Sequence, residues 1–274
     1  MRIEDLLVYG KSHCHSDHAK ILLAELIDKN PLELLINLDE IVPDDKVELY
    51  KKEVLALEAG KPLQYVIGNV NFYGNKFEIN ENVLIPRFET EELVEHTIKY
   101  INDYFREPID ILDLGCGSGI IGLTLEKKVS TNSVDLVDIS KEALEVAHKN
   151  CVNLNSKANL IESDFLDKVT KQYDVIISNP PYIKTDEEIE EVVKENEPHL
   201  ALYAGSDGLD CYKKILKNIK PYLKNRSLIA FEIGYTQAKD ITHLAYENLD
   251  NIVVEIKRDL SGKDRMLFIF RNIV

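Results

Sequence analysis

Ile109-Asp110-Ile111-Leu112-Asp113-Leu114-Gly115-Cys116-Gly117-Ser118-Gly119 runs an apolar segment into a glycine-rich turn, and residues 120–127 after it read as a helix. Strand, tight turn and helix N-terminus in that order make a nucleotide-type cofactor site, because glycines let the backbone come close to a ligand. The spacing is G-x-G-x-G with Ile120 next, so the dinucleotide pattern G-x-G-x-x-G fails and the departure favours S-adenosylmethionine. The next strand, 133–137, ends at Asp138, whose carboxylate can accept both ribose hydroxyls; an acid there supports a nucleoside without choosing between the two cofactors. A third strand near 159–161 leads to Asp164-Phe165, a polar acceptor and an aromatic face placed for adenine. From Glu91 onward strands and helices alternate, as a doubly wound α/β sheet requires. Two final strands, 252–257 and 266–270, are joined through Leu260-Ser261-Gly262-Lys263-Asp264-Arg265, too short for a parallel crossover, so they form an antiparallel hairpin.

A second motif, Asn179-Pro180-Pro181-Tyr182, ends the apolar run Tyr173-Asp174-Val175-Ile176-Ile177-Ser178. Both prolines hold φ near −65° and neither carries an N–H, so a buried strand ends in a forced turn. The Pro180 carbonyl and the Asn179 side-chain oxygen are two acceptors spaced to hold both hydrogens of a planar –NH2 group, and Tyr182 adds a flat wall. Such a turn aims a nitrogen at an electrophile, which points to methyl transfer to nitrogen.

The composition fits a soluble enzyme. At 274 residues, one large domain plus a small one is the first expectation, and no stretch of eighteen apolar residues suggests a membrane span. The opening Met1-Arg2-Ile3-Glu4-Asp5 lacks the apolar core of a signal peptide. Cys14, Cys116, Cys151 and Cys211 are scattered without C-x-x-C spacing, which reads as reduced thiols and places the chain in the cytoplasm. A net charge of −15 opposes non-specific binding to nucleic acid, since phosphates need a basic surface.

The chain divides near residue 80. Before it, Ala19, Leu22, Leu23, Leu26 and Ile27 set a helical period over 16–29, Pro31 restarts a short helix, and 44–59 makes another that ends at Gly60. Residues 70–79 read as a hairpin turning at Gly74-Asn75. The expected organisation is a helical substrate-recognition domain over 1–68, a β-hairpin linker over 69–84 and an α/β domain over 85–274.

With these motifs in order, the chain resembles the peptide-chain release factor glutamine N(5)-methyltransferases, the HemK family. The resemblance covers nearly the whole chain: Gly60-Lys61-Pro62-Leu63-Gln64-Tyr65-Val66-Ile67-Gly68, Leu84-Ile85-Pro86-Arg87-Phe88-Glu89-Thr90-Glu91, the glycine turn and Asn179-Pro180-Pro181-Tyr182. Farther on, Glu197-Pro198, Gly205-Ser206-Asp207-Gly208-Leu209-Asp210, Phe231-Glu232-Ile233-Gly234 and Asp259 to Arg265 also match family landmarks. One departure is Phe88, where the family usually has a second proline. The resemblance implies a class I S-adenosylmethionine-dependent methyltransferase fold: a Rossmann-like, mostly parallel seven-stranded sheet with a C-terminal antiparallel hairpin, behind a small helical domain. It implies methylation of the glutamine of a Gly-Gly-Gln loop in release factors by a monomer, with S-adenosylhomocysteine as product. Asn179, Pro180, Pro181 and Tyr182 are the expected catalytic residues. The expected cofactor residues are Asp113, Gly115, Cys116, Gly117, Ser118, Gly119, Asp138, Asp164, Phe165 and Asn179.

Several features compete for other roles. His13-Cys14-His15 with Asp17 and His18 resembles a metal cluster, but without a second cluster at zinc-type spacing it reads as a solvated helix entry, and no metal is expected. The acidic run Asp186-Glu187-Glu188-Ile189-Glu190-Glu191 reads as a solvated helix face, or as a steering surface for a basic partner. Arg87, Glu89 and Glu91 either orient the cofactor or start a helix. The competing activities are methylation of a ribosomal-protein glutamine and, against the acidic charge, methylation of an exocyclic amine on a flipped nucleobase. A non-catalytic cofactor-binding module is opposed by the intact Asn-Pro-Pro-Tyr turn.

Overall fold

The computed structural model describes residues 1–273. By contacts the chain forms two units: Met1–Asn69 with Glu190–Asn196, and Val70–Ile189 with Glu197–Val274.

The first unit is helical. α1 (Ile3–His13), α2 (Ser16–Leu26), α3 (Pro31–Ile36), α4 (Asp44–Glu58) and α5 (Leu63–Ile67) bury Ile3, Leu6, Leu22, Leu23, Tyr50 and Val54 in one core. The α3 start is a capping box, with Asn30 Oδ1 accepting from Leu32 and Glu33 N–H and Glu33 reaching back to Asn30 N–H. The histidine-rich stretch is the junction of α1 and α2: His13 Nδ1 lies 3.1 Å from Glu58, and His15 caps α2 by accepting from Asp17 N–H. Sequence reading missed α1, whose buried face runs from Ile3 and Leu6 onto a glycine, Gly10, in place of an apolar side chain.

The second unit opens with a hairpin, β1 (Asn69–Phe72) and β2 (Asn75–Glu78). Its turn is centred on Tyr73 and Gly74, both at positive φ (48° and 78°), one position earlier than the expected Gly74-Asn75. Two left-handed residues match the twist of a two-residue hairpin. Phe72 and Phe77 pack into the core of the second unit, so the segment expected as a linker is part of that unit's interior. α6 (Phe88–Tyr104), β3 (Ile109–Leu114), α7 (Ile120–Lys128), β4 (Thr131–Asp138), α8 (Lys141–Asn153), β5 (Asn159–Glu162) and β6 (Tyr173–Ser178) follow in alternation. After a loop come α9 (Glu191–Asn196), which belongs to the first unit, and then α10 (Asp210–Asn218), β7 (Leu223–Glu232), α11 (Ala238–Asn248), β8 (Ile252–Arg258) and β9 (Asp264–Arg271) of the second.

The seven strands lie in the order β5-β4-β3-β6-β7-β9-β8, parallel except that β9 runs antiparallel to both β7 and β8. Ile111, Val175 and Ile177 point into a core shared with α6, α7 and α8, while Leu112, Leu114 and Ile176 point into one shared with α10 and α11. Both faces are covered, which is why β3 and β6 read as largely apolar runs, interrupted only by Asp110, Asp113 and Asp174. β3 pairs with β4 on one side and β6 on the other, so the chain leaves β3 in both directions; their carboxyl ends form the crevice where such sheets bind ligands. The acidic run is a correction: Asp186 to Glu190 is not helical, and α9 begins only at Glu191. Like charges four residues apart, Asp186/Glu190 and Glu187/Glu191, oppose a helix there.

Candidate active site

Three strand ends converge on one cavity of about 350 Å³, within the range of small-molecule cofactor sites. β3 contributes the glycine turn, β4 contributes Asp138 and β6 contributes Asn179. Gly115, Cys116, Gly117, Ser118, Asp138, Asp164, Phe165, Asn179 and Pro181 all line the cavity. Asp113, Gly119, Pro180 and Tyr182 do not.

Each exclusion has a local cause. Asp113 is fully buried beneath the turn, where Oδ2 accepts from Gly122 N–H at 2.9 Å and burial pushes its carboxyl up to about 7. It pins α7 to the strand end. Gly119, at φ +77°, caps α7; a Cβ there would meet Leu123 and Leu136 side chains at 3.2 Å. Pro180 is buried in the turn, and Tyr182 packs on the core toward α10, its carbonyl accepting from Gln237 Nε2 at 3.0 Å. Gln237 also donates to Gly208 O at 3.1 Å, and a Cβ on Gly208 would lie 2.4 Å from the Tyr182 carbonyl. The Gly205–Asp210 landmark thus braces the turn that follows Asn179.

The turn and the acid are built as a pair. Gly115 and Cys116 N–H donate to Val137 O, and Gly117 N–H donates to Asp138 Oδ2 at 2.8 Å. Asp138 Oδ1 accepts from Ser140 N–H at 2.9 Å. Burial pushes the Asp138 carboxyl up, against those backbone donors. Each carboxylate oxygen spends one lone pair on the backbone and keeps capacity for another donor, which fits a vicinal diol. Phe165, at φ +50°, packs beside the turn, with Cε1 3.9 Å from where a Cβ on Gly115 would stand. The Asp164 carboxylate is held by Lys214 Nζ at 2.5 Å. Burial and the neighbouring acids Asp113 and Asp138 raise the Cys116 thiol, so it is no thiolate. A glycine cradle, a two-oxygen acceptor and an aromatic face fit an adenosine-type cofactor.

Two carboxylates that organise the site were not assigned roles from sequence. Glu197 Oε1 takes Arg87 Nη2 at 2.5 Å and Oε2 takes Ile85 N–H at 3.1 Å, while Arg87 Nη1 donates to Ile85 O at 2.7 Å. That clamp fixes the segment around Leu84 and Pro86, both cavity residues. It supplies the restraint that a proline at 88 would give; Phe88 itself opens α6 and is 61% exposed. Arg87 stands at the N-cap position of α6 with its side chain held by Glu197 and Ile85, and Glu91 accepts from Tyr73 N–H at 3.0 Å; neither lines the cavity. Glu232, at the end of β7, accepts from Thr90 Oγ1 at 2.7 Å, and Thr90 accepts from Asn179 Nδ2 at 3.3 Å. Asn150 on α8 ties the turn to the hairpin, donating to Ser118 O and Glu78 O at 2.9 Å each. The motif Phe231-Glu232-Ile233-Gly234 flagged Glu232 as notable; nothing in one sequence links it to Asn179.

The comparisons agree with this architecture. Residues 88–201 match the methyltransferase small domain, and residues 15–68 match the PrmC N-terminal domain. A release factor glutamine methyltransferase of Bacillus subtilis is 38% identical over 91% of this chain and 89% of its own. One from Bacillus cereus is 35% identical over 98% of this chain and 99% of its own. The chain belongs to the release factor glutamine methyltransferase family. A T. thermophilus 16S rRNA methyltransferase, solved in complex with AdoMet and guanosine, superposes with TM-score 0.53 at 16% identity over 74% of this chain and 50% of that one. At that identity the likeness shows the methyltransferase fold. Among the described residues no helix is long and apolar enough to cross a membrane.

Proposed function

We propose that this methyltransferase moves the methyl group of S-adenosylmethionine to the side-chain amide nitrogen of the glutamine in the Gly-Gly-Gln motif of peptide-chain release factors. The observation that supports it most is the Asn179-Pro180-Pro181-Tyr182 turn at the end of β6, with Asn179 and Pro181 lining the same cavity as the glycine turn and Asp138. In this reading Gly115, Cys116, Gly117 and Ser118 cradle the cofactor, Asp138 accepts from its ribose and Phe165 lies against its adenine. Bound there, the cofactor supplies a sulfonium-activated methyl electrophile and leaves as S-adenosylhomocysteine. Asn179 Oδ1, on the cavity wall, takes one hydrogen of the substrate –NH2, and the carbonyl of Pro180, a residue otherwise buried outside the cavity lining, takes the other, which sets the nitrogen in line with that methyl group. An amide nitrogen is a poor nucleophile because its lone pair is delocalised. The same two acceptors gain strength as positive charge develops on nitrogen, so they favour the transition state over the ground state. The N–C bond forms, the S–C bond breaks, and an N–H proton leaves afterwards to water.

The helical unit selects the protein substrate, since a pocket for one –NH2 group does not distinguish one glutamine from another. The reaction belongs to the cytoplasm, where release factors act. Mass spectrometry of release factor peptides after incubation with the protein and S-adenosylmethionine is the direct test. One methyl group on the Gly-Gly-Gln glutamine is expected; an unmodified glutamine would overturn the reading. The recognition role is tested by the ratio of rates on intact release factor and on a short Gly-Gly-Gln peptide, with and without residues 1–69. Starting the shortened chain at Val70 keeps Phe72 and Phe77 in the core of the second unit.

A further inference from the structure

Asn179 has a side chain whose two ends differ in everything that matters for the reaction: the oxygen accepts the hydrogens of an –NH2 group, and the –NH2 end would oppose them. Nothing in the strand or in the prolines decides which end faces the cavity. Thr90 does. Other helical threonines, Thr97, Thr124 and Thr242, give their hydroxyl hydrogen to the carbonyl four residues back. Thr90 instead reaches Glu232, at a sequence separation of 142 residues, and both side chains are buried at 3% and 1% exposure.

We propose that Thr90 and Glu232 are positioning residues that fix the orientation of the Asn179 amide, so that its oxygen and not its nitrogen meets the substrate nitrogen. The inference rests on the methyl-transfer reading above. A threonine hydroxyl has one hydrogen, and an ionised carboxylate only accepts. That hydrogen therefore goes to Glu232, and the Thr90 oxygen is left to accept. Its donor is Asn179 Nδ2 at 3.3 Å, so Oδ1 is the end left for the cavity. If Glu232 gains a proton, its O–H can donate to Thr90, whose own hydrogen then turns to Asn179. The amide is satisfied the other way round, donor faces donor at the substrate, and transfer stops.

Glu232 has its affinity for a proton raised to about 7, first by burial, against the Thr90 hydrogen bond and the Arg265 charge. The groups that face it are Arg265 from β9, Arg87 and Glu89 from the start of α6, Tyr182 from the catalytic turn and Tyr212 from α10, whose hydroxyl donates to the Glu232 carbonyl. Burial pushes the Tyr182 hydroxyl up to about 12 and that of Tyr212 well above its ordinary value, so both stay neutral, and Arg265 stays charged beside Asp259. Burial thus brings Glu232 near neutrality, while Tyr182, Tyr212 and Arg265 are held away from it. The carboxylate prevails above about pH 7, so turnover should fall as pH drops through that value.

The test is steady-state methylation of release factor by the full-length protein, its Thr90→Val, Thr90→Ser and Glu232→Gln variants, from about pH 6 to about pH 9. Thr90→Val keeps the shape and removes the hydroxyl. It should lower kcat about tenfold or more, with KM for release factor and affinity for S-adenosylhomocysteine within about twofold of the parent. Thr90→Ser should recover most of the loss, and Glu232→Gln should abolish the acid limb near pH 7. A kcat for Thr90→Val within about twofold of the parent, an equal loss in Thr90→Ser, or an acid limb that survives Glu232→Gln would each overturn the proposal. If Thr90→Val does not fold, the Glu232→Gln profile decides. A parent protein that methylates no release factor would remove the substrate reading alone. The relay is then read without substrate, from the nitrogen-15 signals of the Asn179 side-chain amide: a pH midpoint near 7 that Glu232→Gln abolishes supports it, and a pH-independent parent signal overturns it.

Discussion

The glycine turn after β3 and the proline turn after β6 are both loops at the carboxyl ends of adjacent parallel strands, yet they are held in opposite ways. The glycine turn is fixed by its own backbone: Gly115, Gly117 and Gly119 sit at positive φ, Gly115 and Cys116 N–H donate to Val137 O, and Gly117 N–H donates to Asp138. Its partners lie within about one βαβ unit of sequence. The proline turn has its backbone fixed by ring closure, but the side chain that would do the chemistry is oriented from Thr90 and Glu232, on α6 and β7. A site that cradles a cofactor can be written locally, because backbone groups serve any sequence; one that orients an amide needs side chains brought from elsewhere.

The comparison makes the two turns separable by mutation. Asn179→Ala should have the largest effect, lowering turnover about 100-fold or more while S-adenosylhomocysteine still binds, by analogy with the loss of one oriented group at an oxyanion site. Turnover close to the parent would mean that the proline turn does not orient the substrate. Asp138→Ala strikes the other turn, removing the acceptor of Gly117 and Ser140 N–H together with the two oxygens proposed to take the ribose hydroxyls. Calorimetric titration should show S-adenosylhomocysteine affinity weakened by about 1–3 kcal/mol, in a protein that still folds but melts earlier because two backbone N–H groups lose their acceptor. Unchanged affinity would move the ribose partner elsewhere. The smallest effect belongs to Gly119→Ala, where φ +77° and Leu123 and Leu136 at 3.2 Å oppose a Cβ. Chemical denaturation should show a loss of about 1–2 kcal/mol, with kcat preserved in the folded fraction. A variant as stable as the parent would show that α7 can shift to accept the methyl group.

Legibility followed the range of the interactions. The strands β3, β4, β6 and β9 are readable because burial on two faces leaves largely apolar runs between turn residues, whereas the edge strands β5 and β8, which bury no residue fully, are marked by short β-branched and leucine stretches, and the antiparallel last pair follows from the brevity of its connection. The hairpin turn was misplaced by one residue because Tyr73 adopts a left-handed conformation that its side chain disfavours, so Gly74-Asn75 looked the better turn. The acidic run was assigned to a helix on composition alone, without an apolar stripe to support it.

Local order in the chain carried the fold class, the glycine cradle, Asp138 and the proline turn, since each depends on φ restrictions or on residues consecutive in sequence. Tertiary structure decided which of these reach the cavity. It withdrew Asp113 and Gly119 into the packing beneath α7, took Tyr182 back onto the core, and brought Glu197 to Ile85 and Arg87 in place of a second proline. It also set Asn179, Thr90 and Glu232 in one hydrogen-bonded line. A hydrogen bond between residues 142 positions apart has no local cause: it exists because α6 and β7 are packed together by a core that neither Thr90 nor Glu232 helps to specify.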